Sequence, residues 1–257
     1  MTQRERRIYL INYLKSEKEE YKSLEIPKDE SEQKVLLRAL LNVRLPSKVE
    51  NEFLKIQDEY LKIEIEEKGI TNYKSLTPCE KEIYLWQGDI TTLKCDAIVN
   101  AANSQMLGCF YPNHKCIDNA IHTFSGVELR LKENEIMNGS QLQTSNAVIT
   151  SAYNLPSKYI IHTVGPIVSS ALTQRHKLSL ESCYINCLEL ADAYKLSSIA
   201  FCCISTGEFG FPNKEACKIA INTVREYKKK TGSKIEVIFN VFKTYDKELY
   251  KRYLAKN

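Results

Sequence analysis

The apolar positions of this chain change rhythm near residue 82. Before that point they recur every three or four residues. Ile8, Leu10, Ile11 and Leu14 form one stripe. Val35, Leu36, Leu37, Leu40 and Leu41 form a second within 31–43, and Val49, Phe53, Ile56, Tyr60, Leu61 and Ile63 a third within 47–67. One-sided stripes at the 3.6-residue period predict three amphipathic helices. Pro27 and Pro46 punctuate them. Ser47, with Glu50 three residues on, reads as a capping box opening the third helix, and Gly69 closes it. Residues 70–81 read as a polar link. The stripes are satisfied by packing within the chain, so a monomer is expected. A helical layer packed on the main body is favoured over a regulatory or partner-binding cap.

From 82 onward short apolar runs alternate with longer periodic ones. Residues 83–86, 97–99, 147–150, 159–164, 198–202 and 235–239 read as strands. Residues 117–124, 126–136, 174–194, 213–229 and 245–255 read as helices, with Leu178, Cys183, Cys187, Leu188 and Ala191 on the inner face of the long one. Strands alternating with helices predict an α/β layer structure with much of its sheet parallel and buried. The division expected is a helical extension over 1–80 and an α/β domain over 82–257.

Composition narrows the function classes. Net charge is +4, and residues 1–80 are near neutral, so the excess lies in the later part. No Lys/Arg run is dense enough to mark a nucleic-acid surface. No apolar run approaches the ~18 residues of a membrane span, and the opening MTQRERRIYLINYL lacks a leader's apolar core. Nine cysteines, an odd number with Cys202 and Cys203 adjacent, fit free thiols in a reducing cytoplasm.

Candidate chemistry concentrates in NAANSQMLGCFYPNHKCIDNAIH at 100–122. Cys109, His114 and Cys116 place three soft donors within eight residues. Zinc takes thiolate and imidazole, and a catalytic zinc keeps a fourth position open. The spacing alone leaves three readings: a metal site, a structural zinc closed by a distant residue, or unrelated residues in a loop. His122 is the nearest fourth donor but falls beyond the start of the next helix. A second stretch, STGEFGFP at 205–212, joins a buried strand to a helix. Its glycines let backbone N–H groups approach an anion, or simply make a connection. Gly88, Asp89 and Ile90 follow the first strand, where Asp89 can accept from an exocyclic amine or cap the turn. His162, inside a strand, reads as a satisfied core histidine, and the other cysteines as core packing.

Taken together, these stretches resemble a macrodomain, the ADP-ribose-binding α/β/α module. The matches are Asp89 and its neighbours, the NAAN turn at 100–103, DNAIH at 118–122, IHTVGP at 161–166 and STGEFGFP at 205–212, in family order over about residues 82–257. Where common hydrolytic members carry a glycine run, this chain has GCFYPNHKC at 108–116. That resembles the zinc-containing microbial macrodomains, which also carry a helical N-terminal extension. The resemblance implies a three-layer α/β/α fold with a mixed, largely parallel sheet. It also implies a zinc-dependent hydrolase that removes mono-ADP-ribose from modified proteins, linked in some members with a sirtuin-type transferase and a lipoylated carrier protein.

Carried over residue by residue, the resemblance gives Cys109, His114 and Cys116 as zinc ligands. Asp89, with the Ile90 N–H, would hold adenine. Cys116, Ile117, Asp118 and Asn119, with Ser205, Thr206, Gly207, Glu208 and Phe209, would wrap the pyrophosphate and distal ribose. Asn103 and Asp118 would be catalytic, and Phe242 would pack on adenine. Two other readings remain: a reader that binds ADP-ribose without turnover, since a fold can host either job, and a nucleic-acid or scaffold protein with a closed structural zinc.

Overall fold

The structure, a computed structural model, describes residues 1–255; the last two residues of the expected α/β domain lie outside it. Its helical part comprises α1 (Gln3–Ser16), the single turn α2 (Glu19–Lys22), α3 (Glu30–Val43) and α4 (Asn51–Lys68). The remainder runs β1 (Thr71–Asn72), β2 (Ile83–Gln87), β3 (Leu93–Lys94), β4 (Ala97–Ala101), α5 (Ile117–Ser125), α6 (Val127–Met137), β5 (Ala147–Ser151), β6 (Tyr159–Thr163), α7 (Gln174–Ala193), β7 (Ser198–Phe201), α8 (Asn213–Thr231), β8 (Glu236–Val241) and α9 (Thr244–Leu254). Six strands form one sheet in the order β2-β8-β7-β4-β6-β5, parallel except for β5 at one edge. Helices cover both faces, giving the expected three-layer α/β/α fold. The central strands β4 and β7 are buried almost throughout and apolar except at Asn100 and Ser198, as burial on both faces requires.

The helical part has its own core of Leu10, Ile11, Leu14, Leu37, Leu40, Phe53, Tyr60 and Leu61, supplied by α1, α3 and α4. Val127 of α6 joins that core, so the helices are packed onto the sheet domain. Ile65 and Tyr73 belong instead to the sheet's own core. The link expected at 70–81 has structure: β1 pairs in parallel with β3, and the Tyr73 hydroxyl donates to Glu236 Oε2 at 2.5 Å.

Several expectations need correction. Ser47 does not cap α4. The helix opens at Glu50, three residues later, because Ser47 Oγ accepts from Arg44 Nη2 at 3.0 Å. Val35 and Leu178 are exposed, Ile8 and Ile63 half-buried; Arg7, Ile65, Leu180 and Tyr184 take the inner positions. Arg7 is buried because its guanidinium reaches Gln33 and Glu30 on α3. The last strand is shifted one to two residues along, from 235–239 to Glu236–Val241.

Candidate active site

In a parallel sheet the strand ends leave a crevice at their carboxyl side, and ligands gather there. The segments singled out in the sequence follow such ends: Asp89 after β2, Asn103 and the donor loop after β4, residues 202–212 after β7, and Phe242 after β8.

The donor loop follows β4, whose penultimate residue Asn100 is fully buried. Asn103 Nδ2 donates to the Gly108 carbonyl at 3.0 Å and closes the first bend. Gly108 has φ +74°, and a Cβ there would stand 2.7 Å from the His122 ring, so only glycine fits. The loop then brings one donor atom each of Cys109, His114 and Cys116 within 4.8 Å of one another, with Cys109 Sγ 3.5 Å from His114 Nδ1. All three residues are half-buried.

This donor set fits zinc. Tetrahedral neighbours around an ion with ~2.3 Å Zn–S bonds stand roughly 3.8 Å apart. Burial, and the Cys109 thiol beside it, push Cys116 up to about 12. A dication reverses that preference by taking the thiolates as ligands. His122 lies elsewhere: its Nε2 is 3.1 Å from Glu133 Oε2 and 3.5 Å from Asp118 Oδ1, and it is not one of the gathered donors.

Cys116 is also the N-cap of α5, its Sγ accepting from the Asn119 N–H at 3.4 Å. Among the described residues the N–H groups of Ile117 and Asp118, in the helix's first turn, donate to no protein acceptor. The same holds for Ser205, Gly207, Glu208 and Phe209. Unpaired N–H groups at a helix start and in a turn make an anion cradle. Ser205 is held at φ +64°, and Gly165 permits it: a Cβ there would sit 2.0 Å from Ser205 Oγ. Thr206 and Phe209 are pinned by backbone bonds to Cys203 and Val168. Glu208 Oε1 reaches 3.6 Å from His114 Nε2, joining this loop to the donor loop.

Asp118 is buried beneath the crevice. Its Oδ1 accepts from Asn100 at 2.8 Å and its Oδ2 from Asn103 at 3.3 Å. Burial raises its carboxyl above the ordinary value, against the pull of His122 and with Glu133 adding to the rise. Behind it lies a buried cluster. Glu133 is fully enclosed, with His162 Nδ1 3.0 Å from its other oxygen, and Thr150 Oγ1 is 2.9 Å from His162 Nε2. Asn100 Nδ2 lies 3.2 Å from the same His162 Nδ1, so both ring nitrogens of His162 have polar neighbours in the core. Burial works to raise Glu133, but His122 and His162 outweigh it and bring it down to about 2. Burial likewise opposes protonation of His122, yet Glu133 and Asp118 hold it above its ordinary value.

At the far end of the crevice Asp89 Oδ1 accepts from Thr91 N and Oγ1, capping a short turn at Ile90–Thr92. Its Oδ2 lies 2.7 Å from Lys68 Nζ, the last residue of α4. Burial would raise this carboxyl; Lys68 and Thr91 outweigh it and keep it low. The Ile90 N–H donates to no described acceptor. Phe242 is 76% exposed beside this end. The Asn119 side chain turns away from the crevice, donating to the Cys109 and Tyr111 carbonyls.

Sequence reasoning missed Glu133, Arg130, Lys68, Arg38 and Asn42. One signal was present. On α6 Val127, Arg130, Glu133 and Met137 recur on one buried face, so two charges stand at apolar spacing.

The Macro domain family model matches residues 99–220. A protein-ADP-ribose hydrolase of Treponema medium is 51% identical over 261 residues, covering 99% of this chain and all of that relative. One of Staphylococcus aureus is 47% identical over 247 residues, 95% of this chain and 92% of its own. A crystal structure of a Trypanosoma brucei macrodomain in complex with ADP-ribose superposes with a TM-score of 0.66 at 26% identity, over 88% of this chain and 96% of that one. With the fold, the order of its motifs and full-length relatives in agreement, this chain belongs to the macrodomain family.

Proposed function

We propose that this protein is a zinc-dependent hydrolase that removes mono-ADP-ribose from modified protein side chains. The observation that carries this is the convergence of three soft donors against two sets of unpaired backbone N–H groups. The names of the full-length relatives support the reaction class. The solved complex with ADP-ribose supports the ligand.

Asp89 Oδ2 and the Ile90 N–H receive the adenine edge. The N–H groups of Ile117, Asp118, Ser205, Gly207, Glu208 and Phe209 receive the pyrophosphate, which needs donors and no side-chain base. Asn103 orients the distal ribose. Its amide is fixed from behind by Asp118, whose carboxylate also offsets positive charge growing at the anomeric carbon. Cys109, His114 and Cys116 would hold zinc, which supplies Lewis-acid polarisation and a template for an oxygen. Phe209 walls the ribose pocket. The substrate is a mono-ADP-ribosylated protein. The resemblance points to a lipoylated carrier protein modified by a sirtuin-type transferase, acted on in the cytoplasm by a monomer. Among the described residues no helix is long and apolar enough to cross a membrane.

The test is one incubation. Purified protein of known metal content is mixed with a mono-ADP-ribosylated protein, with and without a strong zinc chelator, and free ADP-ribose is followed. Release that needs the metal supports the proposal. Binding of free ADP-ribose in the micromolar range, about −8 kcal/mol, without release would make the protein a reader instead.

A further inference from the structure

The donor loop is gripped from outside the α/β domain. Arg38 and Asn42 stand one turn apart on α3, so their side chains share a face. Arg38 Nη2 donates to the His114 carbonyl at 3.2 Å and to Asn119 Oδ1 at 2.8 Å, and its Nε to the same oxygen at 3.2 Å. Asn42 Oδ1 accepts from the Asn113 N–H at 2.9 Å, while its Nδ2 donates to Thr123 Oγ1 on α5 at 3.0 Å. Asn113 has φ +55°, an unfavourable left-handed backbone that this bond stabilises. From the other side Arg130 of α6 donates to the Leu107 carbonyl at 2.7 Å and lies over the Phe110 ring, 4.5 Å from its centre. It also donates to the Leu41 carbonyl at 3.1 Å and to that of Arg44, which closes the C-terminal end of α3.

We propose that α3 is a clamp on the metal-donor loop, with Arg38 and Asn42 as positioning residues that hold His114 and Cys109 in ligating geometry. The inference rests on the zinc reading above and gives the helical extension a task at the site. A loop that carries three ligands within eight residues has many alternative conformations. Each would spread the donors beyond what one ion can bridge. Anchoring the two residues before and at the imidazole ligand, Asn113 and His114, removes most of them in advance. Outer hydrogen bonds of this kind set metal affinity by fixing ligand orientation. Arg38 suits the task because its planar fork serves the Asn119 amide and the His114 carbonyl together.

Three variants of the full chain test this: Arg38→Met, Asn42→Ala and Lys34→Met. Lys34 lies on the same helix but pairs with Glu64 of α4 at 2.9 Å, away from the loop. Zinc affinity is read by competition with a chromophoric chelator. Backbone order is read by hydrogen exchange, with the Asn113 amide as the direct reporter. The expected result is a zinc affinity lowered about 10–100-fold in Arg38→Met and Asn42→Ala and unchanged in Lys34→Met. Exchange should rise across 107–116 while β4, β6 and α1 keep wild-type rates. Arg38→Lys, which keeps charge without the fork, should recover only part of the affinity. Unchanged zinc affinity and exchange in both loop variants would overturn the clamp, as would faster exchange throughout the chain. Wild-type protein that binds no zinc would defeat the zinc reading, and the exchange pattern alone would then decide whether α3 orders the loop.

Discussion

Two loops face each other across the crevice, and they are built on different plans. The loop at 107–116 is held by side chains from α3, α5 and α6. The loop at 203–211 is held mainly by its own backbone turns: Thr206 to Cys203, Gly210 to Gly207 and Phe211 to Ser205. The first presents side-chain atoms, two thiols and an imidazole. The second presents main-chain N–H groups. Donors that are to share one ion, as proposed, need fixing to a few tenths of an ångström, and bracing from several elements provides that. A pyrophosphate has many acceptors, so a turn that adjusts slightly still meets it.

This contrast should appear first in activity. Cys116→Ala should reduce ADP-ribose release to near background, measured with metal content determined in parallel. Glu208→Ala, on the other loop, should cost less than about tenfold, because that loop works through N–H groups the substitution keeps. Equal losses would break the distinction. Next in size is the buried support behind the donor loop. Glu133→Gln leaves His122 and His162 facing an uncharged amide, and breaking such a pair costs about 3–5 kcal/mol, readable by urea unfolding. A smaller effect separates the glycines. Gly108→Ala should destabilise by about 1–2 kcal/mol from its backbone alone, and more as the His122 ring moves. Gly207→Ala meets open space and should fall within about 0.5 kcal/mol of wild type.

The pH dependence is the subtlest effect. Glu133 is depressed to about 2 from 4.5, so its contribution is present above pH 4.5 and lost as pH falls toward 2. His122 is raised above 6.5, so its contribution is complete below pH 6.5 and lost as pH rises through its folded value. Melting temperature should therefore be highest between these limits. Glu133→Gln should flatten both flanks. A wild-type profile that climbs steadily above pH 7 would contradict the His122 assignment.

Much of the fold was legible because its signals are local. The α/β alternation, the buried strands and the three helical stripes all follow from periodicity. Family membership was legible because NAAN, DNAIH and STGEFGFP keep their order along the chain. What escaped was long-range or contrary to polarity. Arg38 and Asn42 reach partners more than 70 positions away, and on the sequence they sit among leucines as ordinary polar neighbours of a stripe. Arg130 and Glu133 hide charge on a buried face, where polarity predicts exposure. The Ser47 cap failed for a similar reason: Arg44 claims the hydroxyl that a local pattern assigns to α4. Asp89 caps its turn, one of the two roles open to it on the sequence, but the sharing of its other oxygen with Lys68, twenty-one positions before it, was not legible.

One feature of the clamp bears on how this protein tolerates change. Most of the grips on the donor loop fall on main-chain atoms: the Leu107, Cys109, Tyr111 and His114 carbonyls and the Asn113 N–H. Main-chain atoms are the same whatever side chain hangs from them. Tyr111, Pro112 and Lys115 point outward and are exposed. Selection can therefore rewrite the face that this loop shows to a modified protein while the donors beneath stay in register. Under the proposed function, divergence in target choice would accumulate at those three positions while the geometry of the donors is kept.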